Sequence, residues 1–290
     1  MSIDWPEHLV GRIAANAWAL FLGSGVSATC RNEAGDRPPT WAGLLHELCA
    51  LIGDDTLRGT GERLIENRDL LPAADHIRHA LDGESKLNTY LSTIKRAVEG
   101  PTGDPYRPST LYEVLLALEP QVVFTTNYDK LFETASQNGY ASHQFASRTL
   151  AGDLRRGDPV LVKLHGSTDS VRDVVLTRTD FARVMDQGNS VFEVLRALSL
   201  TSTLLFVGYS LDDPDIQLVL QAVGRGSLDP EAHFMISSEP ETSSRAPVFR
   251  TSYGVTVLTY PAGQHDLLEA NLRELSSDVL GARAPTSLGL

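Results

Sequence analysis

A short apolar run, Val122-Val123-Phe124, breaks off into Thr125-Thr126-Asn127-Tyr128-Asp129, so hydroxyl, amide and carboxylate groups follow directly on a β-branched and aromatic segment. This is the pattern of a buried strand that delivers polar groups at its end. From Asp129 a helical pattern continues through Lys130, Leu131, Phe132 and Ala135. A strand that runs into a helix is the unit of a parallel α/β sheet, in which ligands sit at the carboxyl ends of the strands. The form recurs. Val160-Leu161-Val162-Lys163-Leu164 ends at His165-Gly166-Ser167, Thr203 to Val207 ends in Gly208-Tyr209-Ser210, and His233 to Ile236 ends at Ser237. The first strand, Ala17 to Leu22, runs into Gly23-Ser24-Gly25-Val26-Ser27-Ala28. That turn fits G-x-G-x-x-A, whose glycines let backbone N–H groups approach a pyrophosphate, and it is not a P-loop because no lysine follows.

The remainder of the chain is read around these strands. A leading helix covers Pro6 to Asn16, and Arg31 to Thr40, with Pro38-Pro39, is a loop near whatever the glycines hold. A dehydrogenase-type unit would now supply a second strand ending in an acid. Here a helix with Trp41, Leu44, Leu45, Leu48 and Ile52 on one face follows instead, and the pattern stays helical to Gly100. Thr110-Leu111-Tyr112-Glu113 has the form of a capping box opening the helix before Pro120. Helices are also expected from Asp180 to Met185, around Val191 to Leu198, and from Ile216 to Val223 with Asp213-Pro214 as its N-cap and first residue. Pro240 to Pro247 reads as loop, Val255 to Thr259 as a last strand, Asp266 to Leu280 as a helix and Gly281 to Leu290 as a frayed tail. The expected fold is α/β: one domain over 1–290, with a Rossmann-like, mostly parallel sheet flanked by helices. Its core is 14–40 plus 110–280, with a smaller helical insertion at 41–108.

Composition narrows the function. Of the 290 residues 42% are apolar and 21% charged, ordinary values for a soluble globular protein. No apolar run reaches span length and Met1 to Pro6 lacks the regions of a signal peptide, so a cytoplasmic protein without membrane contact is expected. A formal net charge of −12 repels phosphate backbones, which argues against direct nucleic-acid binding. Cys30 and Cys49, far apart, form neither a disulfide framework nor a thiolate zinc cage. His76 and His79 lie one helical turn apart beside Asp75, but spacing places no third ligand, so a solvated face is favoured and no metal site is assigned.

Taken in order, Gly23-Ser24-Gly25-Val26-Ser27, Thr126-Asn127-Tyr128-Asp129, Lys163-Leu164-His165-Gly166 and Gly208-Tyr209-Ser210 resemble the sirtuin-like domains of prokaryotic anti-phage defence proteins. The likeness runs from about Ala17 to Tyr260. It implies that Gly23, Ser24, Gly25 and Ser27 hold the pyrophosphate of NAD+, with Gly208 and Ser210 near the adenosine half and Ser237 a further binding residue. It also implies that Asn127 and Asp129 face the nicotinamide end and His165 the ribose, with Thr126 a binding residue where sirtuins carry Gln. Two features of protein-deacylating sirtuins are missing: the four-Cys zinc ribbon, so no zinc is expected, and the Phe-Arg pair after the glycine turn. The implied activity is therefore NAD+ hydrolysis to nicotinamide and ADP-ribose, with NAD+ as substrate, in an NAD-depleting effector of antiviral defence.

Breaking the nicotinamide–ribose bond passes through an oxocarbenium-like state, so the site must hold the ribose and orient a nucleophile. Asn127 can fix a water or the ribose hydroxyls, His165 is the residue type that takes a proton near neutral pH, and Asp129 can accept from the carboxamide. Each also has a structural alternative: Asp129 capping its helix, Asn127 satisfying loose backbone groups, His165 bonded in the core. The competing functions are NAD-dependent protein deacylation and a non-catalytic NAD or ADP-ribose sensor. Constitutive NAD+ destruction would kill the host, so a gate is expected. With little room for a fused sensor, that gate is a homo-oligomer or a separately encoded activating partner, an ATPase or a nucleic-acid sensor.

Overall fold

Among the described residues, six β-branched and aromatic runs and one polar edge segment form a parallel sheet of seven strands. The computed structural model describes residues 3–145, 147–186, 190–211, 214–224, 232–238 and 240–283. The strands are β1 (Trp18–Leu22), β2 (Val122–Thr125), β3 (Ala141–Gln144), β4 (Val160–Lys163), β5 (Thr203–Val207), β6 (His233–Ser237) and β7 (Val255–Thr259). Their order across the sheet is β3-β4-β2-β1-β5-β6-β7, with every pairing parallel. From β1 the chain departs to one side, through β2 to β4, and returns to β5 on the other. Crossovers therefore diverge between β1 and β5, and the carboxyl ends there open a crevice.

Buried parallel strands are apolar on both faces because helices cover both. On one face Leu20, Leu22, Val123, Leu161, Leu205 and Ile236 share a core with α1 (Glu7–Ala14) and four later helices. On the other, Phe21, Phe124, Val162, Phe206 and Met235 join a second core. After β1 comes one short turn, α2 (Ser24–Ser27), and then a run of helices, α3 (Trp41–Cys49), α4 (Asp55–Glu66), α5 (Leu70–Gly83) and α6 (Leu87–Glu99). Those four build a third core from Leu45, Leu48, Ile77, Leu81, Tyr90 and Ile94, joined by Val174 and Leu176 from the sheet side. A cap sets the start of α4: the Asp54 carboxylate accepts from the N–H groups of Thr56 and Leu57, both at 2.9 Å.

The remaining helices are α7 (Thr110–Leu116), α8 (Leu131–Ala135), α9 (Leu150–Arg156), α10 (Arg178–Asp186), α11 (Ser190–Thr201), α12 (Pro214–Gly224), α13 (Pro240–Tyr253) and α14 (His265–Arg283), with a 3-10 segment at Thr168–Asp173. Three local expectations change. The capping box at Thr110 does not form. Thr110 is already helical and its hydroxyl donates to Glu269 of α14 at 2.7 Å, while Ser109 pairs with Thr29 at 2.6 Å. Pro240 to Pro247 is not a loop but opens α13. A proline is tolerated in the first turn, and the helix is held by Phe249, which is fully buried. Finally, β3 and α9 lie where no element was anticipated. Asp213 and the tail from 284 onward fall outside the described residues. Among the described residues no helix is long and apolar enough to cross a membrane.

Candidate active site

The register brings five strand ends side by side: Leu22 pairs with Thr125 and with Val207, Thr125 with Lys163, and Val207 with Ile236. Beyond them lies a cleft of about 1340 Å³, roofed by α3 and the turn between α4 and α5. Ser24, Gly25, Ser27, Thr126, Asn127, Asp129, His165, Gly208, Ser210 and Ser237 all line it. Gly23 stands just behind, its carbonyl accepting from Asn127 Nδ2 at 3.0 Å.

At the switch point the turns after β1 and β5 touch through backbone. Gly23 N–H donates to Val207 O at 3.0 Å and Gly25 N–H to Gly208 O at 2.8 Å. A Cβ on Gly23 would stand 2.3 Å from Gly208 O, and one on Gly208, where φ is +63°, would stand 2.4 Å from Val26 N. The close approach these glycines permit is thus between the two turns. Two N–H groups expected to face a pyrophosphate are already committed to carbonyls. What the turn offers the cleft is the side chains of Ser24 and Ser27 and the edge of Gly25.

Behind the turn is a buried polar relay. Ser27 Oγ donates to Asp129 Oδ2 at 2.7 Å, and its one proton is spent there. Its lone pairs then accept from Asn127 Nδ2 at 3.0 Å and from the Tyr112 hydroxyl at 3.2 Å. Tyr112 is fully buried, and desolvation first, then the Asp129 charge, push its hydroxyl well above the usual tyrosine range. It stays a donor. Asp129 Oδ1 accepts from Leu131 N–H at 3.0 Å, so each carboxylate oxygen already holds a protein donor.

Asn127 gains its orientation from this relay. Its backbone N–H donates to Thr125 Oγ1 at 3.0 Å, and Thr125 in turn donates to Leu22 O across the sheet at 3.0 Å. Both amide hydrogens are used, one on the Gly23 carbonyl and one on Ser27. A carbonyl can only accept, so the amide cannot be turned round. Among the described residues nothing donates to Asn127 Oδ1, which leaves it as an acceptor at the cleft wall.

The loop carrying His165 is stitched to the Asn127 loop. Thr168 N–H donates to Tyr128 O at 3.0 Å, Tyr128 Oη donates to Val175 O at 2.8 Å, and Val175 N–H donates to His165 O at 2.9 Å. Gly166, at φ +85°, makes the turn possible. Arg68, Arg178 and Arg245 also line the cleft, and sequence reasoning singled out none of them. Arg178 is tied to Asp75 of α5 through its N–H at 2.9 Å and its guanidinium at 3.0 Å, a pairing 103 residues apart with no local signature. No three His, Cys, Asp or Glu side chains among the described residues are grouped to hold a metal, and His76 Nε2 instead lies 2.7 Å from the Leu57 carbonyl.

A parallel Rossmann-like sheet thus carries Gly, Asn-Tyr-Asp and His-Gly strand ends around one crevice. The SIR2-like domain family matches residues 121–258, from β2 to β7. Over 208 residues it is 26% identical to the NAD(+) hydrolase ThsA of Enterococcus faecium, covering 71% of this chain and 39% of that protein. Over 228 residues it is 25% identical to the NAD(+) hydrolase ThsA of Bacillus cereus (strain MSX-D12), covering 77% and 43%. A defense-associated sirtuin 2 from Bacillus subtilis is 28% identical over 136 residues, 45% of this chain and 13% of that protein. The chain thus spans about two-fifths of the length of the ThsA relatives it matches.

Proposed function

We propose that this chain cleaves NAD+ at the nicotinamide–ribose bond, giving nicotinamide and ADP-ribose, as the NAD-depleting part of a prokaryotic antiviral defence system in the cytoplasm. The observation that carries the reading is Asn127: an amide whose two hydrogens are locked, leaving one fixed acceptor at the cleft wall near the His165 loop. The names of the ThsA relatives support the same reaction.

In this reading the dinucleotide lies across the crevice between β1 and β5, its adenosine half toward Ser210 and Ser237 and its nicotinamide half toward Asn127 and His165. The C1′–N bond breaks heterolytically. Its electron pair passes to the pyridinium nitrogen, which leaves as neutral nicotinamide, and the ribose carbon becomes oxocarbenium-like. A water held by Asn127 Oδ1 attacks that carbon, and His165 takes the proton the water loses. Positioning accounts for most of the rate, because a well-oriented nucleophile removes several kcal/mol of entropic barrier. Asp129, with both oxygens engaged, acts on the chemistry through Ser27 and Asn127. The gate is self-assembly or a separately encoded activating partner, an ATPase or a nucleic-acid sensor.

The test is nicotinamide release from NAD+ over a wide range of protein concentrations, with Asn127→Ala and His165→Ala alongside. The parent is expected to release nicotinamide faster than in proportion to its concentration if assembly is the gate. Each variant is expected to lose on the order of 100-fold or more. Variants that hydrolyse NAD+ as fast as the parent refute the mechanism.

A further inference from the structure

Lys163 closes β4 and is 1% exposed, among the largest fully buried side chains of the protein. Along β4, Val160 and Val162 enter one apolar core and Leu161 the other, so alternation puts Lys163 on the Leu161 face. An aliphatic residue would pack there with no charge to desolvate, whereas a buried ammonium is costly unless paired. Lys163 has two partners. Its Nζ donates to Glu133 Oε1 on α8 at 2.9 Å and to the main-chain oxygen of Asp129.

The second partner connects the lysine to the site. Asp129 ends the polar loop that leaves β2, and its side chain is held by Ser27 and by the Leu131 N–H. Lys163 fixes the same residue from its carbonyl, across the β2–β4 pairing, while Asn127 sits two residues upstream with both amide hydrogens committed. The loop can hold one Asn127 orientation only if its far end cannot swing. We infer that Lys163, charge-paired with Glu133, is a positioning residue for the cleavage reaction, clamping the Asp129 carbonyl and so setting Asn127 at the reacting end of the cleft; this role rests on the NAD+-cleavage reading. Lys163 is not among the residues that line the cleft.

A purely structural ion pair and a positioning clamp respond differently to charge removal. Lys163→Met alone leaves Glu133 and a carbonyl unpaired and is expected to lower the melting temperature. Lys163→Met with Glu133→Leu removes both charges, and such replacements of buried pairs are commonly neutral or stabilising, so folding is expected to recover. Nicotinamide release by the double variant is nevertheless expected to fall about 10- to 100-fold in kcat, with KM within about threefold of the parent. Glu133→Gln, which keeps the lysine on the carbonyl, is expected to retain kcat within about threefold. A folded double variant with kcat within about twofold of the parent overturns the role, as does Glu133→Gln losing as much as the double variant. A parent that binds NAD+ and releases nothing under any activating condition overturns the cleavage reading itself, a result distinct from an active parent with active variants.

Discussion

Ser27→Ala deletes one oxygen, and the structure says what that oxygen does. Three groups lose a partner: the Asp129 carboxylate at 2.7 Å, the Asn127 amide at 3.0 Å and the Tyr112 hydroxyl at 3.2 Å. A hydrogen bond to a charged group is worth about 1.5–3 kcal/mol, and a buried donor left without a partner costs about 1–3 kcal/mol. Asp129 keeps the Leu131 N–H and Asn127 keeps the Gly23 carbonyl, so neither is wholly stranded, whereas the Tyr112 hydroxyl loses the one acceptor seen for it and is fully enclosed. The expected loss is about 2–4 kcal/mol in urea unfolding followed by circular dichroism. Tyr112→Phe removes the stranded hydroxyl, so the double variant is expected to be less destabilised than the sum of the singles by about 1 kcal/mol or more. Additivity within about 0.5 kcal/mol refutes the relay, because uncoupled sites behave that way. The same variants assayed for nicotinamide release are expected to lose rate while still folded, since Asn127 Nδ2 has lost one of its two anchors.

Two further outcomes follow from the geometry. Gly208→Ala places a Cβ 2.4 Å from Val26 N at a φ of +63°, and left-handed strain of about 1 kcal/mol plus overpacking of about 1–3 kcal/mol predicts a lower urea midpoint; a loss under about 0.5 kcal/mol refutes the close contact of the two turns. Glu84, hydrogen-bonded by Lys86 and by the N–H groups of Gly53 and Asp54, has its carboxyl held down to about 2 from an ordinary 4.5. A depressed folded value means the stabilisation is present above the ordinary carboxylate range and is lost as pH falls toward 2. The gap in melting temperature between parent and Glu84→Gln is therefore expected to be full at neutral pH and to close on acidification through that window. A gap independent of pH contradicts it.

Six of the seven strands among the described residues were legible because each is a short run rich in apolar, β-branched or aromatic residues; five of them are almost wholly buried, and the edge strand β7 is half-buried. β3 was not: Ala141-Ser142-His143-Gln144 lies at the sheet edge with its first two residues exposed, so no hydrophobic pattern marks it. α13 was hidden by Pro240, Pro247 and the Ser/Thr residues between them, which read as a loop until the burial of Phe249 supplies the reason to be helical. For the site, the strand-end motifs carried the cleft residues, since strand ends are local features. The partnerships are not local. Ser27 meets Asp129 across 102 residues, Asn127 meets Gly23 across 104, and Ser27 meets Tyr112 across 85, separations at which a single sequence holds no record of contact. This is why the glycine N–H groups were assigned outward, to a phosphate, when the β5 turn already uses two of them.

Charge illustrates the same division between local and global. A net charge of −12 describes the far field, and at physiological ionic strength that field is screened beyond about 8 Å. A dinucleotide inside the cleft experiences the groups at its walls, where Arg68, Arg178 and Arg245 stand among the lining residues. Arg178 is already shared with Asp75, so any anion it binds competes with the tie between α10 and α5. In the proposed reaction the arginines would set how tightly the substrate is held, and the relay from Tyr112 through Ser27 to Asn127 would set where its reacting carbon meets a nucleophile. Salt should therefore weaken binding while leaving the rate at saturating NAD+ almost unchanged. A kcat that falls with salt as steeply as the affinity does would place the cationic wall in the chemistry itself.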